Sequence, residues 1–201
     1  GYGADMPAAA EQLAYVYAVD LAVGPGALNS EVTLAKGTKM QVGTDKAFIG
    51  NLQALDRDFD YRHDVVYFGS TLNDGTLPWR GKMFRLTTGG CTNAPCSPLT
   101  WGVPGIASGV NRSPTEMLNT FNDYNASSGV TVEMGPITDA PSVTIDDANK
   151  VWVFFGTGRY LSNSDKTNTE QQYLFGIKDN VMNSGCTQTN TTNCNNVNLV
   201  N

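Results

Sequence analysis

Residues 63–70 read HDVVYFGS and residues 81–88 read GKMFRLTT; residues 149–158 read NKVWVFFGTG and residues 171–179 read QQYLFGIKD. The two pairs share one layout. Each begins with a strand-like apolar and aromatic run that ends in Phe-Gly, continues through a polar loop, and returns in a second aromatic strand. A further strand that ends in an acidic turn precedes each pair, Phe48–Leu55 before Asp56 and Ala140–Ile145 before Asp146. Repetition of one strand–turn–strand–loop–strand unit is the signature of an array of small antiparallel sheets, and it predicts β-propeller blades.

Outward from the repeat, Ala14–Leu21 (AYVYAVDL) runs into Gly24-Pro25-Gly26 and reads as the third strand of an earlier blade. Lys39–Val42, between Gly37 and Gly43, is a weaker strand, and Leu99–Val103 is another candidate. The expectation is an all-β chain with one full blade and two partial ones, about two to three in all. Propellers close with four or more blades, so the chain reads as a single propeller-type domain over 1–201, or a fragment of one; a two-sheet sandwich is the fallback. One stretch breaks the pattern. In 111–129, Ser113 can cap a helix, Pro114 suits the first helical position and Glu116 follows three residues after Ser113. A short helical insertion is expected there. Residues 183–201 read as a variable, cysteine-containing tail.

Composition agrees with many short strands. The 201 residues are 16% charged and 40% hydrophobic, and the 21 glycines serve turns better than helices. The net charge of −6 comes without a Lys/Arg cluster, which argues against nucleic acid and anionic membrane surfaces as partners. No run of 18 apolar residues is present, so no membrane-spanning helix is expected. Without an initial Met or a signal peptide, the chain reads as a mature or excised segment. The four cysteines form two local pairs, Cys91/Cys96 and Cys186/Cys194, within polar loops. Even number and short spacing predict two disulfides and an oxidising compartment, each closure contributing about 2–3 kcal/mol in the chain-entropy account. A zinc site would want tighter knuckles or nearby histidines, and His63 is distant in sequence from both pairs.

The acidic turn of the first repeat carries chemistry. Asp56-Arg57-Asp58-Phe59-Asp60-Tyr61-Arg62-His63-Asp64 places carboxylates at loop positions 1, 3, 5 and 9. Calcium takes six to eight oxygens, and alternating aspartates in a tight loop can turn inward toward one ion, joined by a backbone carbonyl near Arg62. Four carboxylates this close repel one another without a cation. The loop departs from an EF-hand at Tyr61, where glycine would make the sharp turn, and at Tyr67, where glutamate would close the site. Tyr61 is expected to need positive φ, at a cost of about 1 kcal/mol or more. The competing reading is a solvated acidic turn with no ion. Magnesium, which keeps more water, fits less well, and His63 reads as a surface residue. The turn Asp146-Asp147-Ala148-Asn149 lacks the alternation and reads as an ordinary hairpin turn.

LDRDFDYRHDVVYFGS, GKMFRL, ITDAPSV, VWVFFGTGRYLS and QQYLFGIKD together resemble the C-terminal β-propeller of the PilC/PilY family of type IV pilus adhesins, over about Leu55 to Asp179. The resemblance implies a cell-surface or pilus-tip protein, exported through the periplasm, that supports pilus assembly, adhesion and twitching motility. It implies a calcium site of the D-x-D-x-D-x-x-x-D type, with Asp56, Asp58, Asp60, the carbonyl of Arg62 and Asp64 as ligands. Its implied partners are minor pilin and other pilus components, a host or surface receptor, and the rest of the propeller. An enzyme is the main alternative, for instance a quinone-dependent propeller dehydrogenase. The sequence offers one histidine, no G-x-S-x-G and no P-loop, and Gly156-Thr157-Gly158 lacks the helix a dinucleotide turn requires. Trp79, Trp101 and Trp152 read as packing residues rather than a quinone-stacking set. A carbohydrate-binding module is a third reading, supported only by strand aromatics. The chain is therefore expected to bind rather than catalyse.

Overall fold

The computed structural model describes residues 13–19, 37–73, 78–88, 101–104, 112–123, 130–179 and 198–199. The described elements are β1 (Leu13–Val19), β2 (Gly37–Leu55), β3 (Val65–Leu72), β4 (Arg80–Thr87), β5 (Val103–Pro104), β6 (Arg112–Ser113), β7 (Thr115–Leu118), β8 (Thr120–Asp123), β9 (Val130–Glu133), β10 (Ser142–Ile145), β11 (Val151–Gly156), a short 3₁₀ turn (Asn163–Thr167), β12 (Leu174–Lys178) and β13 (Asn198–Leu199). Among these residues no helix is long and apolar enough to cross a membrane. The chain is all-β, as the repeat predicts. Two four-stranded antiparallel paths, β2-β3-β4-β7 and β10-β11-β12-β13, are the blades.

Lys39–Val42 and Phe48–Leu55, expected as separate strands, lie in one long strand, β2. It continues through Gly43, whose φ of 65° belongs to the left-handed region that glycine enters without a Cβ penalty. β2 pairs with β1 on both sides of that bend, through residues 37–41 and Lys46, and from Ala47 onward it pairs with β3. β2 thus belongs to the first blade and to the sheet that precedes it.

Alternation along β3 and β4 places apolar side chains on both faces of the first blade. Val65, Tyr67 and Met83 join Val151, Val153, Phe155, Phe175 and Ile177 of the second blade in one core. Phe68, Phe84 and Leu86, on the opposite face, pack with Ala14, Ala18, Met40 and Val42 in another. Strands buried on both faces read as continuous apolar runs, which is why VVYF shows no polar alternation.

The blades are joined by residues 134–138, which cross the first blade over a trough of glycines. Gly81 N–H donates to the Met134 carbonyl at 2.7 Å, Ile137 N–H to the Ser70 carbonyl at 3.2 Å and Asn51 N–H to the Thr138 carbonyl at 3.2 Å. The crossing lies so close that a Cβ on Gly50 would sit 2.8 Å from the Ile137 oxygen, and one on Gly81 would sit 2.3 Å from the Gly135 oxygen. Gly158 N–H then holds the Pro136 carbonyl at 2.7 Å and ties the crossing to the end of β11.

The helix expected within 111–129 is corrected. Its described part forms β6, β7 and β8, with β8 pairing to β9. Thr115–Leu118 fills the open edge of β4 instead, and Glu116 pairs with Lys82 at 2.9 Å rather than closing a helix cap. Nucleating a short helix is unfavourable, and Thr115, Asn119 and Thr120 are weak helix formers. A sheet edge with unmet donors and acceptors offered the larger gain. Both cysteine pairs, and the end of the tail apart from β13, lie outside the described residues.

Candidate metal centre

The β2–β3 connection, residues 56–64, is the expected acidic loop. Asp64 N–H donates to the Leu55 carbonyl at 2.9 Å and closes its base. Thr88, just past β4, anchors its far side: its N–H bonds the Asp64 carbonyl at 2.9 Å and its hydroxyl the His63 carbonyl at 2.5 Å. Inside the loop the aspartates accept backbone N–H groups, as short carboxylate side chains do in Asx turns. Asp56 takes the Tyr61 N–H at 2.8 Å and the Asp60 N–H at 3.3 Å; Asp58 shares that Asp60 N–H at 3.3 Å; Asp64 takes the Arg57 N–H at 2.7 Å.

These bonds hold the carboxylates in place without exhausting them, since an ionised carboxylate has about four acceptor positions. Asp56, Asp58 and Asp64 each bring an oxygen within 4.8 Å of the others. That separation is no more than about twice the 2.3–2.6 Å at which calcium holds oxygen, so one hard cation fits among the three. Asp60 stands apart from this grouping, with one oxygen on the Arg62 N–H at 2.9 Å. His63 is exposed and contributes its carbonyl to Thr88 rather than its ring to the cluster.

The loop pays for its tightness at two aromatic residues. Tyr61 has φ of 70°, as the missing glycine predicts, and Phe59 has φ of 61°, which the sequence reading missed. Tyr61 is 99% exposed, so the backbone alone constrains it. Tyr61→Val is therefore expected to cost about 1 kcal/mol in urea denaturation, because a β-branched residue is poorly accommodated at positive φ. An ordinary surface site would stay within about 0.5 kcal/mol. Tyr61→Gly should not destabilise; equal, negligible effects of both changes would show that the φ is not enforced.

The second acidic turn contrasts with the first. Asp146 spends its carboxylate on the hairpin, accepting Lys150 N–H at 2.8 Å, Ala148 N–H at 3.0 Å and the Trp152 indole N–H at 2.8 Å. The Trp152 bond, then the backbone bonds, hold its pKa below the ordinary carboxylate value. It is the ordinary hairpin turn that its lack of alternation predicts.

One polar cluster was not foreseen from sequence. Asp179, just past β12, sits buried between the blades. It pairs with Arg85 at 2.6 Å and accepts the Tyr67 hydroxyl at 2.7 Å. Burial, followed by the Asp179 charge and hydrogen bond, raises the Tyr67 pKa well above its ordinary value, so the phenol remains a donor. The legible signal was an arginine inside the apolar run KMFRL: a strand arginine facing a core needs an anion. Trp79 lies under the Arg159 guanidinium at 4.3 Å, and Trp101 packs on the core shared with β1. Trp152 stacks with Phe154 on the outer face of the second blade, centroids 6.2 Å apart. Two of the three tryptophans thus pack as expected, and the third faces outward.

No curated protein matches the chain. The crystal structure of the Pseudomonas aeruginosa PilY1 C-terminal domain is similar to it at 21% identity with a TM-score of 0.48, over 70% of this chain and 28% of that one. The chain therefore spans 28% of that solved chain. The model of the PilY1 beta-propeller domain family matches residues 1–201, the whole length. With its blades, its repeat and this match in agreement, the chain belongs to the PilY1 beta-propeller domain family, a family of type IV pilus proteins.

Proposed function

We propose that this chain is a calcium-binding, non-enzymatic propeller segment of an extracellular type IV pilus adhesin, one that supports pilus assembly, adhesion and twitching motility. Its partners in that role are minor pilin and other pilus components and a host or surface receptor. The observation that carries the calcium reading is the convergence of Asp56, Asp58 and Asp64 on a hairpin fixed at both ends. Asp60 and the Arg62 carbonyl complete the proposed ligand set. Calcium there would supply charge neutralisation. The chain's own contribution is to hold the carboxylates together against their mutual repulsion.

A ligand that binds only the folded state stabilises it by about 2.7 kcal/mol at one hundred times its dissociation constant. Calcium is therefore expected to raise the melting temperature, by roughly 5–10 °C at that excess for a chain of this size. Asp56→Asn, which keeps an acceptor for the Tyr61 N–H but removes the charge, should greatly reduce the rise while leaving the calcium-free melting temperature nearly unchanged, and Asp56→Ala should abolish the rise at some cost to the calcium-free protein. Calorimetric titration provides the second readout, and absence of both heat and thermal shift at millimolar calcium would refute the calcium reading. Adhesion and twitching by cells carrying Asp56→Ala test the biological part separately.

A further inference from the structure

Aligned by cross-strand register, the two blades share one rung that their loops use differently. In the first blade Phe68 pairs with Phe84 and Val66 with Leu86; in the second, Phe155 pairs with Phe175 and Val153 with Ile177. At the end of each ladder, Asp64 therefore corresponds to Val151 and Thr88 to Asp179. The backbone bond there is the same in both blades: Thr88 N–H donates to the Asp64 carbonyl at 2.9 Å, and Asp179 N–H to the Val151 carbonyl at 3.0 Å. The side chains differ. Asp179 turns its carboxylate to Tyr67 and Arg85 between the blades. Thr88, 6% exposed, donates its hydroxyl to the His63 carbonyl at 2.5 Å. The connections differ to match. Asp146 holds the short second turn with its own carboxylate, whereas residues 56–64 crowd four aspartates together and carry two aromatic residues at positive φ.

We propose that Thr88 is a positioning residue for the cation site, its hydroxyl holding the loop in the form that brings Asp56, Asp58 and Asp64 together. The inference rests on the calcium reading of the loop and adds to it a residue outside the ligand set, 25 positions from the His63 it holds. The backbone rung by itself fixes only Asp64. The hydroxyl extends that hold to His63, next to the Arg62 carbonyl of the proposed ligand set. Asp64 in turn accepts the Arg57 N–H at 2.7 Å, so the hold passes to the start of the loop. Thr88 is a firm anchor because it directly follows β4, which is paired along its length with β3 and carries Arg85 into the buried ion pair with Asp179. Without a cation, carboxylate repulsion and the strain at Phe59 and Tyr61 both favour a splayed loop. Releasing the loop therefore costs little in the calcium-free protein, where water reaches the exposed His63. Gathering the carboxylates again then subtracts from the binding free energy. Loss of the hydroxyl should fall on calcium affinity more than on calcium-free stability.

The test is calorimetric calcium titration of Thr88→Val, Thr88→Ser and the control Thr71→Val, with amide hydrogen exchange of each in the calcium-free state. Thr71 is 3% exposed and donates its hydroxyl to the Ile137 carbonyl, so Thr71→Val perturbs a buried threonine away from the loop. Thr88→Val is expected to weaken calcium binding about three- to tenfold, the range of one net hydrogen bond, and to speed exchange of the Arg57 and Tyr61 N–H groups. Thr88→Ser keeps the hydroxyl and should bind within about twofold of the parent, as should Thr71→Val. Unchanged affinity in Thr88→Val overturns the proposal, as does Thr88→Ser binding as weakly as Thr88→Val or Thr71→Val weakening binding equally. A parent that takes up no calcium refutes the calcium reading instead. Thr88 is then judged on the calcium-free exchange, and unchanged rates at Arg57 and Tyr61 overturn its positioning role.

Discussion

Asp179→Ala is expected to lower the stability of this chain by about 3–5 kcal/mol, the usual cost of leaving one member of a buried ion pair without the other. The Arg85 and Asp179 side chains are 7% and 1% exposed and lie 2.6 Å apart, so removal of the carboxylate strands a guanidinium in the core between the blades. The Tyr67 hydroxyl loses its acceptor in the same step. For a chain of this size the loss corresponds to roughly 10–15 °C in melting temperature. The pair is not expected to be a large net source of stability, because an apolar pair of similar volume often does as well. Arg85→Met and Asp179→Leu combined with Tyr67→Phe, which leaves no hydroxyl without an acceptor, should therefore recover most of what Asp179→Ala loses. A single variant within 1 kcal/mol of the parent by urea denaturation would mean that water reaches the pair. Tyr67→Phe should cost less, about 1.5–3 kcal/mol, the range for a hydrogen bond to a charged group.

Gly81→Ala should be comparably damaging by another route. The added methyl would sit 2.3 Å from the Gly135 oxygen and 2.8 Å from the Ser70 oxygen, both backbone atoms of the crossing and the sheet beneath it. Neither can move without breaking the bonds from Gly81 N–H and Ile137 N–H that join the blades. Overpacking of this kind costs about 3 kcal/mol, or more where backbone must shift. Gly69→Ala should behave alike, since its methyl would overlap Ile137 near that residue's own Cβ. Gly176→Ala is the control. Its methyl would meet only the far edge of the Phe154 ring at 2.9 Å, and that ring is free to swing outward. A cost for Gly81→Ala no greater than that for Gly176→Ala would show that the crossing is not tightly seated.

The two glycines and the aspartate show where local reading stops. VVYFG and VWVFFG announce strands because consecutive apolar residues need burial on both faces, and the Phe-Gly endings mark where each run stops. The reason for those endings is tertiary. Gly69 lies beneath Ile137, which is 68 positions away, and no local signal marks the encounter. The region from 111 to 129 failed for the converse reason. Ser113, Pro114 and Glu116 do form a helix-start pattern, but an unfilled edge on β4 and the ammonium of Lys82 outweighed a preference worth a few tenths of a kcal/mol per residue.

By itself the sequence determined the all-β class, the two repeats, the acidic loop at Asp56–Asp64 and the positive φ at Tyr61. Each of these follows from neighbours a few residues apart, through alternation, turn chemistry and like-charge crowding. Only the tertiary structure decided that β2 serves two sheets, that residues 134–138 run over glycines from three strands, that Arg85 meets Asp179, and that Phe154 and Leu174 of the second blade stay exposed. Those outcomes depend on which distant surfaces come together. The free energy of burying a charge or excluding a methyl is set at the contact and leaves little trace in the order of residues along the chain.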